Sequence, residues 1–420
     1  EGDYRMMFSA LKSVCSPEDW VQQATELHRH GHLAEAQSAY EAVLQEQPRH
    51  ADANHNLGVI ALERDDATVG IEYFRAARDE VPGHWQYWIS YLDALTRSGQ
   101  LWEAVQVLED ARRAGLAPDA VDEVLERLIE AALAIRSVAP QASHASISEP
   151  TGTDVVALTS LLNQQRYAEL ELAARDLAGS CPDSPLPWKM LALAQQAQQR
   201  QAVEPLRRLA LLCPQDGSNL NTLGLALVDQ ARLVEAEFCF RQAISLAARG
   251  PLAHCNLGMV LHRRGRLQQA EECLRHCIAL YGTFHVAHLN LSVVLDELGR
   301  VEEAEVCVRR ALQLKPDFVE AYNSLGYLQK DQGQVEQAET SIRRALALDP
   351  SNRDAHSNLL FVLNYHPDYP ADEIFSAYRA FDAQIGHPLR AQWYAHGNSR
   401  TTARRLRVGW QGCDAVDRHA

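Results

Sequence analysis

Hydrophobic and small residues recur along this chain at a fixed interval of 34 residues. In the second half of the chain the recurrence holds at two adjacent positions, a leucine followed by a mostly small residue. The leucines are Leu223, Leu257, Leu291, Leu325 and Leu359, and the residues after them are Gly224, Gly258, Ser292, Gly326 and Leu360. A fixed period of this length is typical of arrays in which one supersecondary unit is copied and stacked.

Each 34-residue unit predicts two antiparallel helices. A glycine stands seven residues after the small position, as at Gly265, and glycine adopts a left-handed helix end at the lowest cost. Small alanines follow in the second half of the unit, where they let the two backbones approach. Pro316 and Pro350 close two units, because proline cannot continue a helix. A single hairpin cannot bury its apolar face alone, so stacked neighbours are expected to supply the core.

Extending the phase in both directions divides the chain into an N-terminal array over 1–136 and a C-terminal array over 154–386. The units are expected at 17–50, 51–84, 85–118, 151–182, 183–216, 217–250, 251–284, 285–318 and 319–352. Residues 119–135 predict irregular helix, and 137–153, rich in Ala, Ser, Pro and Gly, predict a linker or loop. A degenerate unit begins at Arg353, and a last helix is expected over 371–384.

The period, the small positions and the closing prolines resemble the tetratricopeptide repeat (TPR) pattern. That resemblance implies an all-α fold, a right-handed superhelical solenoid of helical hairpins. It also implies a concave groove that binds other polypeptides, and surfaces through which copies of the chain can associate.

Asparagine recurs at one position of the first helix, with Thr222 and Ser324 at the same place in two other units. The four residues are Asn56, Asn256, Asn290 and Asn358. If this position faces the groove, a column of amides can donate to and accept from the backbone of an extended peptide. Alternatively, the same amides cap or bridge neighbouring repeats. The sequence leaves both interpretations open.

Two groups of aromatic or imidazole side chains are interpreted mainly as packing residues and not as a metal site. Three histidines recur at one position, with Tyr322 in the intervening unit: His254, His288 and His356. Equivalent residues of adjacent hairpins are roughly 18–20 Å apart, two interaxial steps, so these histidines cannot share a metal ion. A cluster on one helix is expected to be mainly interface packing, with part of it lining a binding surface: Trp85, Tyr87, Trp88 and Tyr91.

The charge and the cysteines of the chain exclude several classes of partner and indicate where the protein is located. The formal net charge of −15 argues against nucleic acid and anionic membranes, which need a basic surface. No apolar run is long enough to span a bilayer, and residues 1–30 lack a secretory signal. The nine cysteines form neither a disulfide framework nor a Cys-x-x-Cys pair, which suits a cytoplasmic protein.

Cysteines also occupy a repeated position, because Cys239, Cys273 and Cys307 are 34 residues apart. Cys273 and Cys277, beside His276, would share a helix face and could approach a metal together. The stronger interpretation is that they are small buried hydrophobes, since structural zinc normally takes four ligands. We therefore expect no metal site.

The sequence contains no Gly-x-Ser-x-Gly elbow, no Gly-rich phosphate loop and no His-Glu-x-x-His motif. The C-terminal residues Arg404-Arg405-Leu406-Arg407-Val408-Gly409-Trp410, which follow the degenerate repeat, resemble the start of the catalytic region in bacterial O-GlcNAc transferase and SPINDLY-like glycosyltransferases. The resemblance implies a GT-B domain whose first strand begins at 406–409, followed by Asp414 and His419. His419, one residue later than the family's histidine, is the only catalytic candidate.

The same resemblance implies UDP-GlcNAc as donor, Ser or Thr hydroxyls of acceptor proteins as targets, and acceptor contacts through the asparagine column. Because the chain begins at Glu1 without Met and stops at Ala420, we expect a partial product. Residues 387–420 would then be a connector and the truncated start of a transferase domain. Such a fragment would be inactive and would hold no cofactor. The alternative is a non-enzymatic TPR scaffold for protein–protein interactions.

Overall fold

The computed structural model describes residues 17–138, 149–246, 251–366 and 369–390, and it is helical throughout these ranges, with no strand among them. The chain divides into two compact units, Glu1–Pro316 and Asp317–Ala420. The predicted all-α fold of helical hairpins is confirmed.

The first unit is built of hairpins whose boundaries follow the 34-residue phase. Their first helices are α1 (Pro17–Arg29), α3 (Ala51–Glu63), α5 (Trp85–Arg97), α8 (Gly152–Asn163), α10 (Pro185–Ala197), α12 (Gly217–Asp229), α14 (Pro251–Arg263) and α16 (His285–Glu297). Their second helices are α2 (Leu33–Glu46), α4 (Ala67–Glu80), α6 (Leu101–Arg113), α9 (Tyr167–Ser180), α11 (Val203–Leu212), α13 (Leu233–Ser245), α15 (Leu267–Leu280) and α17 (Val301–Leu314).

A single long helix, α7 (Pro118–Val138), takes the place of the irregular stretch that the sequence predicts at 119–135. It runs into the predicted linker at 137–153, and α8 begins inside the far end of that linker. Thr151 caps α8, since its side chain accepts from the Asp154 N–H while the Asp154 carboxylate accepts from the Thr151 N–H. The two ends of the predicted linker are therefore helical or capped, and residues 139–148 lie outside the described ranges.

The second unit contains the hairpin α18 (Val319–Asp331) and α19 (Val335–Leu348), then α20 (Arg353–Tyr365) and α21 (Ala371–Phe381). The last long helix ends at Phe381, short of the expected 384. It passes into a π-helical turn over Asp382–Gly386 and a short helix, α22 (His387–Leu389).

Within a hairpin, the two helices meet where a small residue lies under a large one. A Cβ added to Gly258 would lie 2.6 Å from Leu274 Cγ, and one added to Gly58 would lie 2.7 Å from Phe74 Cε1. Real Cβ atoms essentially never come this close to another heavy atom. The small position therefore sets the distance between the two helices, as the sequence predicts.

The turn between the two helices requires a left-handed residue whatever the side chain. Gly265 has φ of +76°, and the equivalent Ala231 has φ of +56°. Alanine in this conformation costs roughly 1 kcal/mol relative to glycine. The hairpin packing on either side of Ala231 therefore imposes the turn and outweighs that cost.

Most residues of helix α13 are buried because an earlier part of the chain, residues 101–138, packs onto it. Helices α6 and α7 both pack against α13. Val121 and Val124 of α7 share one apolar core with Phe238 of α13. The rings of Trp102 and Phe238 meet edge to face with centroids 5.5 Å apart. Residues more than 100 positions apart thus form one core, which the 34-residue period does not predict.

A partly buried ion network centred on Glu237 borders this core. Glu237 of α13 is fully buried and accepts from Arg264, from Arg241 at 2.8 Å and from Arg266 at 3.0 Å. Two carboxylates of α7 complete it: Asp122 accepts from Arg264 at 2.6 Å, and Glu126 accepts from Arg241 at 2.7 Å. The three carboxylates balance the three guanidinium groups. We call this set of six residues the arm clasp.

The substitution Gly258→Ala should destabilise the chain by about 1–3 kcal/mol, because the added methyl overpacks the contact with Leu274. Gly179→Ala is the matched control, since its Cβ would meet nothing within 4 Å and alanine favours the helix. Urea unfolding followed by circular dichroism measures both. Equal stability of the two variants would contradict the packing role of Gly258.

Glu237→Gln should loosen the arm clasp, because it leaves three guanidinium groups facing a neutral amide. Removing one partner of a buried ion pair costs about 3 kcal/mol. Hydrogen exchange of α7 and α13 should accelerate, while that of α1 and α2 should not change. Glu169→Gln, which removes a half-exposed ion pair with Arg166, serves as the control and should leave all four helices unchanged. Unaltered exchange in α7 of the Glu237 variant would show that the arm clasp does not hold α7 against α13.

Candidate polypeptide-binding surface

The first helices of adjacent repeats are joined side by side by hydrogen bonds between residues 35 positions apart. The Tyr87 hydroxyl donates to Asp52 at 2.6 Å, and Arg263 donates to the Val228 carbonyl at 3.3 Å. Since 35 is one repeat plus one residue, each bond joins neighbouring first helices on the same face. These helices lie closer together than the roughly 18–20 Å expected from the sequence. We call this surface the first-helix face.

Three of the four predicted asparagines make such a bond. Asn256 Nδ2 donates to Asn221 Oδ1 at 3.0 Å, and Asn290 Nδ2 donates to Cys255 Sγ at 3.0 Å. In the second unit, Asn358 Nδ2 donates to Asn323 Oδ1 at 3.0 Å. The amides therefore bridge neighbouring repeats, one of the two roles that the sequence leaves open.

The bond between repeats leaves some hydrogen-bonding groups of these amides available. A side-chain amide carries two N–H donors and two acceptor lone pairs, and one bond to the preceding repeat uses a single donor. Asn56, Asn256, Asn290 and Asn358 are all partly exposed. In Asn256, Asn290 and Asn358 the cross-repeat bond fixes the orientation of the amide and leaves hydrogen-bonding capacity for a bound chain.

The recurrent histidine position serves the turn before each hairpin. His288 is buried and donates from Nε2 to the Gly282 carbonyl at 3.1 Å, and His356 donates to the Pro350 carbonyl at 2.9 Å. Trp88 makes the same contact through Nε1 to the Pro82 carbonyl at 2.8 Å. Each side chain bonds to the carbonyl six residues earlier, which indicates a structural role. The ring of His254 instead lies near those of His276 and Tyr281.

The aromatic cluster of α5 is mainly interface packing. Tyr87, Trp88 and Tyr91 are buried, whereas Trp85 is 61% exposed. Near it, an open groove of about 850 Å³ lies at the starts of α3 and α5, where His84 stacks on Tyr87 with ring centroids 4.3 Å apart. The sequence does not single out this groove, because its walls come from two repeats and the turn between them.

A second surface that the sequence analysis misses lies in the second unit. Tyr327 and Phe361 are 41% and 47% exposed, and Tyr365 is 64% exposed. Their spacing is the available signal, since Tyr327 and Phe361 are one repeat apart. Tyr365 is the last residue of α20.

Of the seven cysteines among the described residues, four are buried and three, which include Cys273, are partly buried. Burial raises the pKa of the Cys255 thiol to about 12, and of the Cys273 thiol to about 12. Cys273 donates to the His254 carbonyl at 3.3 Å.

Over the described ranges, no group of three or more His, Cys, Asp and Glu side chains is placed to hold a metal ion.

His419, Asp414 and the predicted strand at 406–409 lie outside the described residues, as does the whole of 391–420. Among the helices that the structure describes, none has the length and hydropathy needed to cross a membrane.

The raised thiol pKa values predict slow alkylation in the folded chain. At pH 8, a thiol with a pKa of about 12 holds about a thousandfold less thiolate than an ordinary cysteine. Iodoacetamide labelling of Cys255 and Cys273, followed by peptide mass spectrometry, should be slower by at least that factor than in the urea-unfolded chain. Because the unfolded thiols ionise first, stability should fall as the pH rises above about 9. Equal labelling rates in the folded and unfolded chains would contradict the burial of these thiols.

Family models described as tetratricopeptide repeat match three parts of the chain. One matches residues 21–84 and 221–279, a second matches 251–317, and a third matches 319–352. No curated protein matches the sequence. The matched segments are those in which the 34-residue phase is regular.

Several solved helical-repeat structures are similar to the chain. MamA from Desulfovibrio magneticus RS-1 is 18% identical, with 40% of this chain and 96% of that one covered and a TM-score of 0.35. PilW, a type IV pilus biogenesis factor, is 18% identical over 50% of this chain and 100% of that one, with a TM-score of 0.43. The APC/C hetero-tetramer Cut9-Hcn1 is 14% identical over 91% and 90%, with a TM-score of 0.45. The family models, together with the observed hairpins, show that residues 21–84, 221–317 and 319–352 contain tetratricopeptide repeats.

Proposed function

We propose that this chain is a protein-interaction scaffold that holds an extended polypeptide along its first-helix face. The observation that carries the proposal is the recurrent asparagine position. Asn256 and Asn290 stand one repeat apart, each partly exposed and each held at 3.0 Å by the preceding first helix. Asn358 is held in the same way within the second unit.

Amide side chains in this arrangement suit a main chain better than a particular side-chain sequence. Every peptide unit offers one N–H and one carbonyl, and an amide can pair with both. Because each bond contributes only about 1 kcal/mol, affinity would come from several repeats acting together. Binding would then depend on how much extended chain the partner offers.

A second candidate function is the acceptor-binding region of an O-GlcNAc-transferase-like enzyme, in which UDP-GlcNAc is the donor. It rests on the sequence 404–410 alone, which lies outside the described residues, and all the matched family models are of the repeat itself. Sequencing the gene past Ala420 separates the two functions. Several hundred further residues with two Rossmann-like halves would favour the enzyme, and a stop codon would favour the scaffold.

Replacing Asn256, Asn290 and Asn358 together with Ala should weaken polypeptide binding by at least about tenfold, the loss of two or three hydrogen bonds. A suitable probe is reduced, carboxamidomethylated ribonuclease A, a permanently unfolded and basic polypeptide. Fluorescence anisotropy of the labelled probe gives the Kd for the wild-type chain and the variant.

The control replaces three amides of the second helices with Ala: Gln269, Gln313 and Gln337. These side chains are exposed and do not belong to the first-helix face. The control should bind like wild type, and both triple variants should keep the wild-type circular dichroism spectrum. Unchanged binding by the asparagine variant would overturn the proposed role of the amide column.

A further inference from the structure

Helix α18 of the second unit exposes one aromatic ring, Tyr327, and helix α20 exposes two rings that contact each other. Phe361 and Tyr365 have ring centroids 4.7 Å apart. Lys330 joins the two helices, because its Nζ lies 4.1 Å from the Tyr327 ring centroid and 4.8 Å from that of Phe361. We call Tyr327, Lys330, Phe361 and Tyr365 the aromatic patch. Its rings are ordered by contacts on one side and open to solvent on the other.

The aromatic patch lies next to the amide pair of this unit. Asn323 is four residues before Tyr327, and Asn358 is three residues before Phe361, so amide and ring share a face on each helix. The 3.0 Å bond from Asn358 to Asn323 shows that these faces are adjacent. A main chain bound at the amides would therefore place its neighbouring side chains against the rings.

A carboxylate precedes two of the three exposed rings by seven residues on the same helix. Glu320 precedes Tyr327, and Asp354 precedes Phe361, and both carboxylates are exposed. Residues seven apart are two turns apart on one helix face, a separation of about 10 Å. An extended peptide covers about 10 Å in three residues.

Helix stability alone does not account for this arrangement. Carboxylates in a first turn favour the helix through its dipole, so Glu320 and Asp354 have a structural use without a ligand. The exposed rings have no such use, because a helix gains nothing from aromatic surface left in water. Adjacent exposed apolar groups of this kind mark interaction sites.

We propose that the aromatic patch is a side-chain subsite for an extended peptide with a Lys or Arg three residues from an aromatic or large aliphatic residue. The basic group pairs with Glu320 and Asp354, the apolar side chain packs on Tyr327 and Phe361, and the main chain between them bonds to the amide pair. This inference rests on the proposed polypeptide-binding function and adds a side-chain preference to it.

The test uses fluorescein-labelled dodecapeptides of Gly and Ser that contain one Arg and one Phe. The separation between Arg and Phe varies from one to six residues, in both orders. Anisotropy with the full chain should show the tightest binding at a separation of three. Replacing Tyr327 and Phe361 with Ala should weaken the binding of that peptide by about tenfold, which is the effect expected for the loss of aromatic packing.

A charge exchange supplies the matched control. The double variant Glu320→Lys and Asp354→Lys should lose affinity for the peptide that contains Arg. It should gain affinity for the same peptide with Glu in place of Arg. Leu252→Ala and Val306→Ala, at sites 57% and 68% exposed in the first unit, should leave peptide binding unchanged.

Affinity that is independent of the Arg–Phe separation, or unchanged by the Tyr327 and Phe361 substitutions, would overturn the subsite. So would light scattering that shows a dimer abolished by those substitutions, because a second copy would then cover the patch. Binding of unfolded ribonuclease A that persists in the ring variants would leave the amide-based function standing, so the two proposals fail separately.

Discussion

The contact between a glycine and one large residue inside four of the hairpins is the constraint on which the rest of the structure depends. Gly258 lies under Leu274, and Gly58 lies under Phe74, at distances that no side chain larger than glycine permits. This contact fixes the spacing of the two helices in a hairpin. Fixed spacing allows hairpins to stack in register, and register brings the first helices together at intervals of 35 residues. The first-helix face and its amides follow from that register.

The arm clasp adds a second, non-periodic constraint within residues 1–316. Helices α6 and α7 pack on α13, and the buried Glu237 pairs with arginines that also bind carboxylates of α7. An uncompensated charge in such a place is costly, so the network favours one docking geometry over others. The N-terminal hairpins are therefore neither a simple continuation of the later repeats nor an independent arm. Residues 151–216 connect two parts of the chain that also touch directly.

The sequence predicts the hairpins well because their chemistry is local and repeats. The 34-residue phase places helix boundaries within a few residues, and Gly265 marks a left-handed turn that the structure contains. The phase cannot predict the docking of α7 on α13. That contact joins Val124 to Phe238, 114 positions away in the sequence, and its residues look like ordinary amphipathic helix in both places.

For the asparagines, too, the sequence predicts the shared position but not the bonding partner. Their recurrence predicts a shared position, and the structure shows that Asn256 and Asn290 bond to the preceding helix. The sequence could not distinguish that bond from a bond to a ligand, because an amide suits both. The aromatic patch was missed because Tyr327 and Phe361 stand among residues of ordinary helix, and only their exposure separates them from core positions.

The central claim is that polypeptide binds to the first-helix face and not to the second helices. Photo-crosslinking tests this most directly. A benzophenone-labelled unfolded polypeptide is bound to the full chain, irradiated and digested, and the modified peptides are identified by mass spectrometry. The account predicts crosslinks concentrated in α12, α14, α16, α18 and α20. Crosslinks concentrated in α13, α15, α17 and α19 would contradict it.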